Sequence, residues 1–519
     1  MANINRRDLL KFLSASGAVL SSQGLLLGSL SSCSSYKLPK ILGVKPQFTD
    51  DLVLTSGLNY QKIISYGDQI TDDLIFGTCN DYIAIEEINN DELIMWVNHE
   101  YFKENLIGTQ KRTLANIDKE RSLVGGSIIK VKRSQGKWNY IKNDPVTKAI
   151  RGNTKIPFAG GVSIKGSKIA EGTLSNCAGG KTPWGSFLTC EENYHFSYGE
   201  TDFKTKKHKA SFLGWEKFYN NPPEHYGWVV EIEAKTGKAK KHTSIGRYAH
   251  ECSTYAEAKN GKAIIYSGDD KNDEHVYKFI SNSKNSIEKG ILYVANLEKG
   301  EWLPLDLELS PVLKKTFKDQ LEVLTYTREA SKVLGATPLD RPEDIEIHPK
   351  TGEVFISLTN NKPKNRYHGQ ILKISEQGSD HGSLRFKSET FAFGGEDGGF
   401  SSPDNMAFDK NGNLWVATDI SGRSIGSEVY KKFGNNGLFL IPTSGPQAGE
   451  VIQIASAPVE AELTGICFSP DQRTLFLSVQ HPGENTKDLK NPTSHWPDGG
   501  VPKSSVIAIS GETLTKITG

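Results

Sequence analysis

Cysteine is scarce in this chain, six in 519 residues, and no two of them have the C-x-x-C spacing of a zinc ribbon or a redox motif. Beyond Cys33, the five that remain (Cys79, Cys177, Cys190, Cys252 and Cys467) are odd in number, so at least one stays unpaired even in an oxidising compartment. That argues against a disulfide framework. Net charge is nearly absent as well. The 62 basic side chains meet 61 acidic ones, for a balance of +1, which advertises neither nucleic acid nor an acidic surface as partner. The mildly apolar stretch at 12–30 is diluted by Ser and Gly, too much so for a good membrane span.

What is present begins with a targeting segment. Asn5-Arg6-Arg7-Asp8-Leu9-Leu10 resembles a twin-arginine export signal, and Leu30-Ser31-Ser32-Cys33 resembles a bacterial lipobox. Residues 1–33 are therefore expected to be a signal, with Cys33 the lipidated first residue of a periplasmic or cell-surface protein. An ordinary signal peptide with an incidental cysteine is the alternative. Export in the folded state suits a protein that acquires a metal or cofactor first.

From residue 45 onward one unit recurs: a polar or acidic start, an apolar strand, a Gly/Asn/Asp turn, a second apolar strand, and a polar or acidic end. Copies start near residues 81, 177, 251, 343, 404 and 462. Each interval exceeds the roughly 40–50 residues of a four-stranded propeller blade. The expected fold is all-β, a six-bladed β-propeller forming a single domain over 45–519. Insertions are expected near 103–124, 200–225, 310–334 and 482–500, and the third, with apolar residues at helical spacing, is a small helical segment. In a propeller the starts of the inner strands and the ends of the next strands share one mouth of the channel. The candidate pocket therefore gathers Glu100, Cys177, Glu191, Glu192, Glu251, Asp269, Asp270, Glu343, Asp344, Asp404 and Glu462, with His99, His250 and Arg341 beside them. So many carboxylates at one rim demand cations. An oxygen-rich set suits Ca²⁺, and the Cys177 thiolate suits iron or zinc. Taken singly, each acid reads better as a solvated strand end; six such sets at one rim shift the reading to a cation site.

Several stretches together resemble the PhoX family of bacterial alkaline phosphatases. They are Asn98-His99-Glu100-Tyr101, NCAGGKTPWGSFLTCEEN (176–193), Gly246-Arg247-Tyr248-Ala249-His250-Glu251, Gly268-Asp269-Asp270, Arg341-Pro342-Glu343, SPDNMAFDKNGNLWVATD (402–419) and Val479-Gln480-His481-Pro482-Gly483. The resemblance spans most of the mature chain in the expected order. It implies phosphomonoester hydrolysis outside the cytoplasm at an iron–calcium cluster, Fe³⁺ held by Cys177, Glu251 and Glu343 and Ca²⁺ mainly by the other acids. It also implies attack on phosphorus by a metal-bound oxide or hydroxide, with Arg341 clamping the phosphoryl oxygens; a structural ion pair to Glu343 is the alternative role for Arg341. One departure is notable. Where many members carry Asn-Arg-Arg before the second blade, this chain has Ala149-Ile150-Arg151-Gly152-Asn153, leaving Arg151 as the candidate second phosphate ligand. Phosphomonoesters are the expected partners of a monomer that meets the membrane only through its lipid. Two other classes stay open: a calcium-dependent propeller hydrolase of lactones or sugar esters, which needs no Cys177, and a non-catalytic lipid-anchored binding propeller.

Overall fold

The computed structural model describes residues 40–519; the twin-arginine motif and Cys33 lie outside the described residues. Strands dominate, arranged as six antiparallel sheets around one axis. Blade one is built from Asn80–Asn89, Glu92–His99, Gly125–Ser134 and Lys137–Ile141, with Lys148–Arg151 added on Gly125–Ser134. The inner hairpins of blades two to five are Asn176–Lys181 with Ser186–Glu191, Thr254–Glu257 with Ala263–Gly268, Pro342–Ile347 with Val354–Leu358, and Pro403–Phe408 with Leu414–Thr418. Blade six takes Glu462–Phe468, Leu475–Gln480 and Ser505–Ser510 from the end of the chain and its outer strand, Asn59–Ser65, from the beginning. That splice closes the ring and leaves no open seam between first and last blade.

The second strand of each blade is buried on both faces, which is why these segments read as unbroken apolar runs. Alternation then deals successive residues to opposite neighbours. Ile264 packs with Ile345 and Ile356 towards blade four, while Ile265 packs with Leu188 and Val229 towards blade two. Trp415 joins Leu463 and Leu477 of blade six; Val416 joins Phe355 and Ile371 of blade four. Each blade–blade interface thus has its own apolar core.

The stretch 103–124 carries the short helices Glu104–Ile107 and Leu114–Arg121. The stretch 310–334 holds Gln320–Thr325 and Thr327–Leu334, and Leu313, Phe317 and Val323 there sink into the core beside blade three. The stretch 482–500 is a loop without helix or strand. Among the described residues no helix is long and apolar enough to cross a membrane.

Candidate metal centre

The same local device recurs at one mouth of the channel. The last inter-strand pair of each inner hairpin is Asn80↔His99, Asn176↔Glu191, His250↔Asp269, Pro342↔Leu358 and Pro403↔Thr418 in blades one to five. The residue after each first partner (Asp81, Cys177, Glu251, Glu343, Asp404) sits in a bulge where the register slips, and a bulge re-aims its side chain. The residue after each second partner (Glu100, Glu192, Asp270, Thr359, Asp419) donates its N–H to the carbonyl of Cys79, Ser175, Ala249, Arg341 and Ser402 respectively, at 2.9–3.1 Å. Four of these acceptors, Cys79, Ser175, Arg341 and Ser402, have φ of 47° to 54°, and Glu460, two residues before Glu462, has φ 61°. Left-handed backbone at non-glycine residues costs about 1–2 kcal/mol each. The ring repeats that strain, in every blade but the third, beside the residues that point into the channel. Gly268 completes the packing there: a Cβ on it would lie 2.4 Å from the Glu343 carbonyl oxygen.

The result is a cavity of about 180 Å³ walled by ten carboxylates, the Cys177 thiol, Arg341, Asn193, Gln480 and His481. Cys177 Sγ lies 3.4 Å from Asp81 Oδ2 and 3.2 Å from Glu251 Oε1. Donor atoms gather into three overlapping triads: Asp81, Glu100 and Cys177; Cys177, Glu192 and Glu251; Glu251, Asp270 and Glu343. Within each triad they lie within 4.8 Å of one another. Cys177 and Glu251 each belong to two triads, so they stand at the centre of the set. Burial first, then mutual repulsion, pushes the carboxyls of Glu100, Glu192, Glu251, Asp404 and Glu462 well above the usual range. Burial does the same to Glu343, against the pull of Arg341. Asp81 is pushed up to about 7 by burial against hydrogen bonds from Thr464, Cys177 and Gln480. Asp270 and Glu484 go the other way: burial would raise both, but the Arg341 guanidinium holds Asp270, and His481 and Lys103 hold Glu484, below the ordinary carboxylate range.

This donor set fits cations. One guanidinium cannot balance ten carboxylates, and Glu251 Oε2 is a buried oxygen with no hydrogen-bond partner. Hard oxygens suit Ca²⁺, and a sulfur among them suits a transition metal.

Several expectations need correction, most of them for one reason. Adjacent residues of a strand point to opposite sides, so Glu191-Glu192 and Asp269-Asp270 can each give the channel only one carboxylate. Glu191 points away. It accepts hydrogen bonds from Lys241 Nζ at 2.6 Å and from the N–H groups of Gly227 and Trp228. Asp269 likewise turns out to a two-pronged pair with Arg328. Asp344 accepts the Met406 N–H, His99 contacts Asn80 and Ser127, and His250 contacts Ser267; none lines the cavity. Arg151 is buried against Ser127 Oγ and the Ile75 carbonyl, away from the cavity, so it is not a second phosphate ligand. Arg341 does reach the cavity, but its Nε–Nη2 edge is committed to Asp270 (2.7 and 2.8 Å) and Nη2 also meets Glu343 at 2.8 Å. Only Nη1 is without a partner among the described residues.

Sequence reasoning passed over Asp81, Asn193, Asp419, Gln480, His481 and Glu484 as wall residues. Asp81 and Asp419 flank the first and fifth apolar hairpins, so the signal for them was there. Glu484 comes from the 482–500 loop, where no pattern marks it.

A profile of the family described as alkaline phosphatase PhoX matches residues 41–483. The chain belongs to the PhoX family of alkaline phosphatases. Its fold is similar to that of Pseudomonas fluorescens PhoX in complex with vanadate, a transition-state analogue: TM-score 0.83 at 29% identity, over 92% of this chain and 99% of that one. More distant solved structures include a Dyadobacter fermentans protein of unknown function (TM-score 0.43, 10% identity, 88% of this chain and all of that one). Another is a Xanthomonas campestris gluconolactonase (TM-score 0.35, 10% identity, 92% of this chain and all of that one). No curated protein matches the chain. Membership of PhoX and the likeness to the vanadate-bound enzyme make this protein a phosphatase.

Proposed function

We propose that this phosphatase hydrolyses phosphate monoesters outside the cytoplasm, at a mixed Fe³⁺ and Ca²⁺ cluster seated on the wall of ten carboxylates. The observation that carries the reading is the sulfur of Cys177 shared between two carboxylate triads. A calcium-only lactonase has no use for that sulfur. Cys177, Glu251 and Glu343 are the proposed iron ligands; Glu100, Glu192, Asp270, Asp404 and Glu462, with Asp81, Asp419 and Glu484 added from the structure, complete the set and mainly serve calcium. When bound, such cations supply Lewis acidity and neutralise charge on a transferring phosphoryl group.

The chain's own contributions follow from the geometry. Asp270 and Glu343 hold Arg341 by its Nε–Nη2 edge, so the guanidinium is fixed in angle and presents Nη1. A donor of that kind binds a phosphoryl oxygen through a charge-assisted hydrogen bond that strengthens as charge develops. Gln480 Nε2 donates to both Asp81 and Glu100, at 2.9 and 3.0 Å, and so sets the spacing of two carboxylates from one blade.

The remaining proposals concern the whole chain: a single propeller domain over 45–519, acting as a monomer, exported by the twin-arginine route and anchored by lipid on Cys33. Mass spectrometry of the mature N-terminus checks the anchor. The reading of the centre is tested by elemental analysis of purified protein beside a chromogenic phosphomonoester assay. Iron and calcium in fixed ratio to active protein are expected. Full activity in iron-free protein overturns the iron assignment, and activity unchanged after verified calcium removal overturns the calcium one.

A further inference from the structure

Lys271 stands at the rim of the cavity, directly after Asp270 and half-buried. A flexible ammonium beside so many acids should collapse onto one of them. It does not. Its hydrogen bond goes to a neutral acceptor, Asn193 Oδ1, at 2.9 Å, and it forms no ion pair among the described residues.

That contact decides how the Asn193 amide is oriented. An ammonium has donors only, so the amide oxygen must face it and the NH₂ must face the other way. The NH₂ side carries one hydrogen bond, to Glu192 Oε1 at 2.6 Å. An amide has two donors, so one N–H is left over, on a residue that lines the cavity. Without Lys271 the carboxylate of Glu192 would be the only polar partner fixing that amide. One bond leaves the plane free to swing about it and withdraw the second N–H.

We infer that Lys271 is a positioning residue for substrate: it locks the Asn193 amide so that its free N–H meets a phosphoryl oxygen, as a second donor besides Arg341 Nη1. The inference rests on the phosphatase reading of the same cavity. It assigns the phosphoryl group two fixed donors, one charged from blade four and one neutral from the end of blade two. Lys271, at the end of blade three, acts through the second. Its positive charge also polarises the amide it holds, which makes the free N–H a better donor.

The test uses the full-length metal-loaded enzyme with p-nitrophenyl phosphate as substrate and inorganic phosphate as inhibitor. Lys271→Met is expected to weaken both kcat/KM and phosphate inhibition roughly tenfold, the size of one good hydrogen bond to a charged oxygen. Lys271→Arg, which keeps a donor facing Asn193, should restore most of both. Metal content should be unchanged in both variants. In an Asn193→Ala background, Lys271→Met should cause no further loss, because the lysine acts only through that amide. A full second loss in that background, a Lys271→Met enzyme depleted of metal, or unaltered phosphate inhibition each overturns the inference. Lys271→Leu, which likewise has no donor, serves as the measurement should Lys271→Met fail to accumulate, with the same expectations. A wild-type enzyme inert towards the phosphomonoester would instead remove the reading beneath it.

Discussion

Cys177 has a setting that no other described cysteine shares. Its sulfur faces two carboxylates across the channel, whereas Cys190 Sγ meets Ser253 Oγ at 3.1 Å and Cys252 Sγ faces the Glu343 carbonyl at 3.6 Å. Burial first, and then Asp81 and Glu251, push the Cys177 thiol well above its ordinary range, so only a bound cation makes it a thiolate near neutrality. A ferric thiolate absorbs visible light; calcium and zinc sites do not. Cys177→Ser is therefore expected to bleach the protein and abolish phosphatase activity together, while Cys190→Ser and Cys252→Ser keep both, as an absorption spectrum and a turnover assay will show. Arg341 is the second residue-scale case. Lysine at 341 keeps a charge but loses the fork that holds Asp270 and presents Nη1. Arg341→Lys should lower kcat/KM by roughly ten- to a hundredfold, the worth of about one or two charge-assisted bonds, with a small change in melting temperature. The residue types of the site were legible in the sequence because sulfur and carboxylates at strand ends are chemically conspicuous. Asn193 and Lys271 were not, since an amide and a lysine on a rim look like any solvated surface.

At the scale of the strand, the question is which of two adjacent acids faces the channel. The hairpins could be read from apolar runs and Asn-Gly turns, but facing depends on the bulge that follows the last paired residue, and a bulge has no composition of its own. Glu191 and Glu192 make the point testable. Glu191 is fully buried against Lys241, itself fully buried, so Glu191→Gln strands an ammonium in the interior. Breaking such a pair costs about 3–5 kcal/mol. Glu191→Gln is therefore expected to lower the denaturation midpoint sharply while leaving the metal-to-protein ratio unchanged. Glu192→Gln should do the opposite, losing metal and activity with a smaller loss of fold in the metal-free state. Denaturant titration with elemental analysis of both variants separates them. Metal loss in folded Glu191→Gln would show that the alternation argument assigns the faces wrongly.

For the whole molecule, the channel mouth is, among the described residues, the one place where all six blades contribute side chains to a single structure, from Asp81 in blade one to Glu462 in blade six. Elsewhere each blade packs only on its two neighbours, and the ring is closed by one strand, Asn59–Ser65. That long-range closure was invisible in the sequence, because the edge residues of 59–65 carry no sign of a partner hundreds of positions away. Each donor triad draws on two neighbouring blades, so a cation held there would tie those blades together at the channel and would bind the folded ring alone. Linkage then requires stability to rise with free cation, by about 2.7 kcal/mol at a hundred times the dissociation constant. Without cations the same acids must hold protons or repel, which loosens the ring from its centre. Chelation is accordingly expected to lower the melting temperature, and calcium added back should raise it in proportion to the logarithm of its concentration. The calcium response should shrink in Asp404→Asn and Glu462→Gln, whose carboxylates line the mouth. It should persist in Asp269→Asn, whose carboxylate faces Arg328 outside it, even though that variant melts lower to begin with. A melting temperature indifferent to verified calcium removal would mean that burial alone keeps these carboxyls protonated and that calcium is not what holds the six blades together.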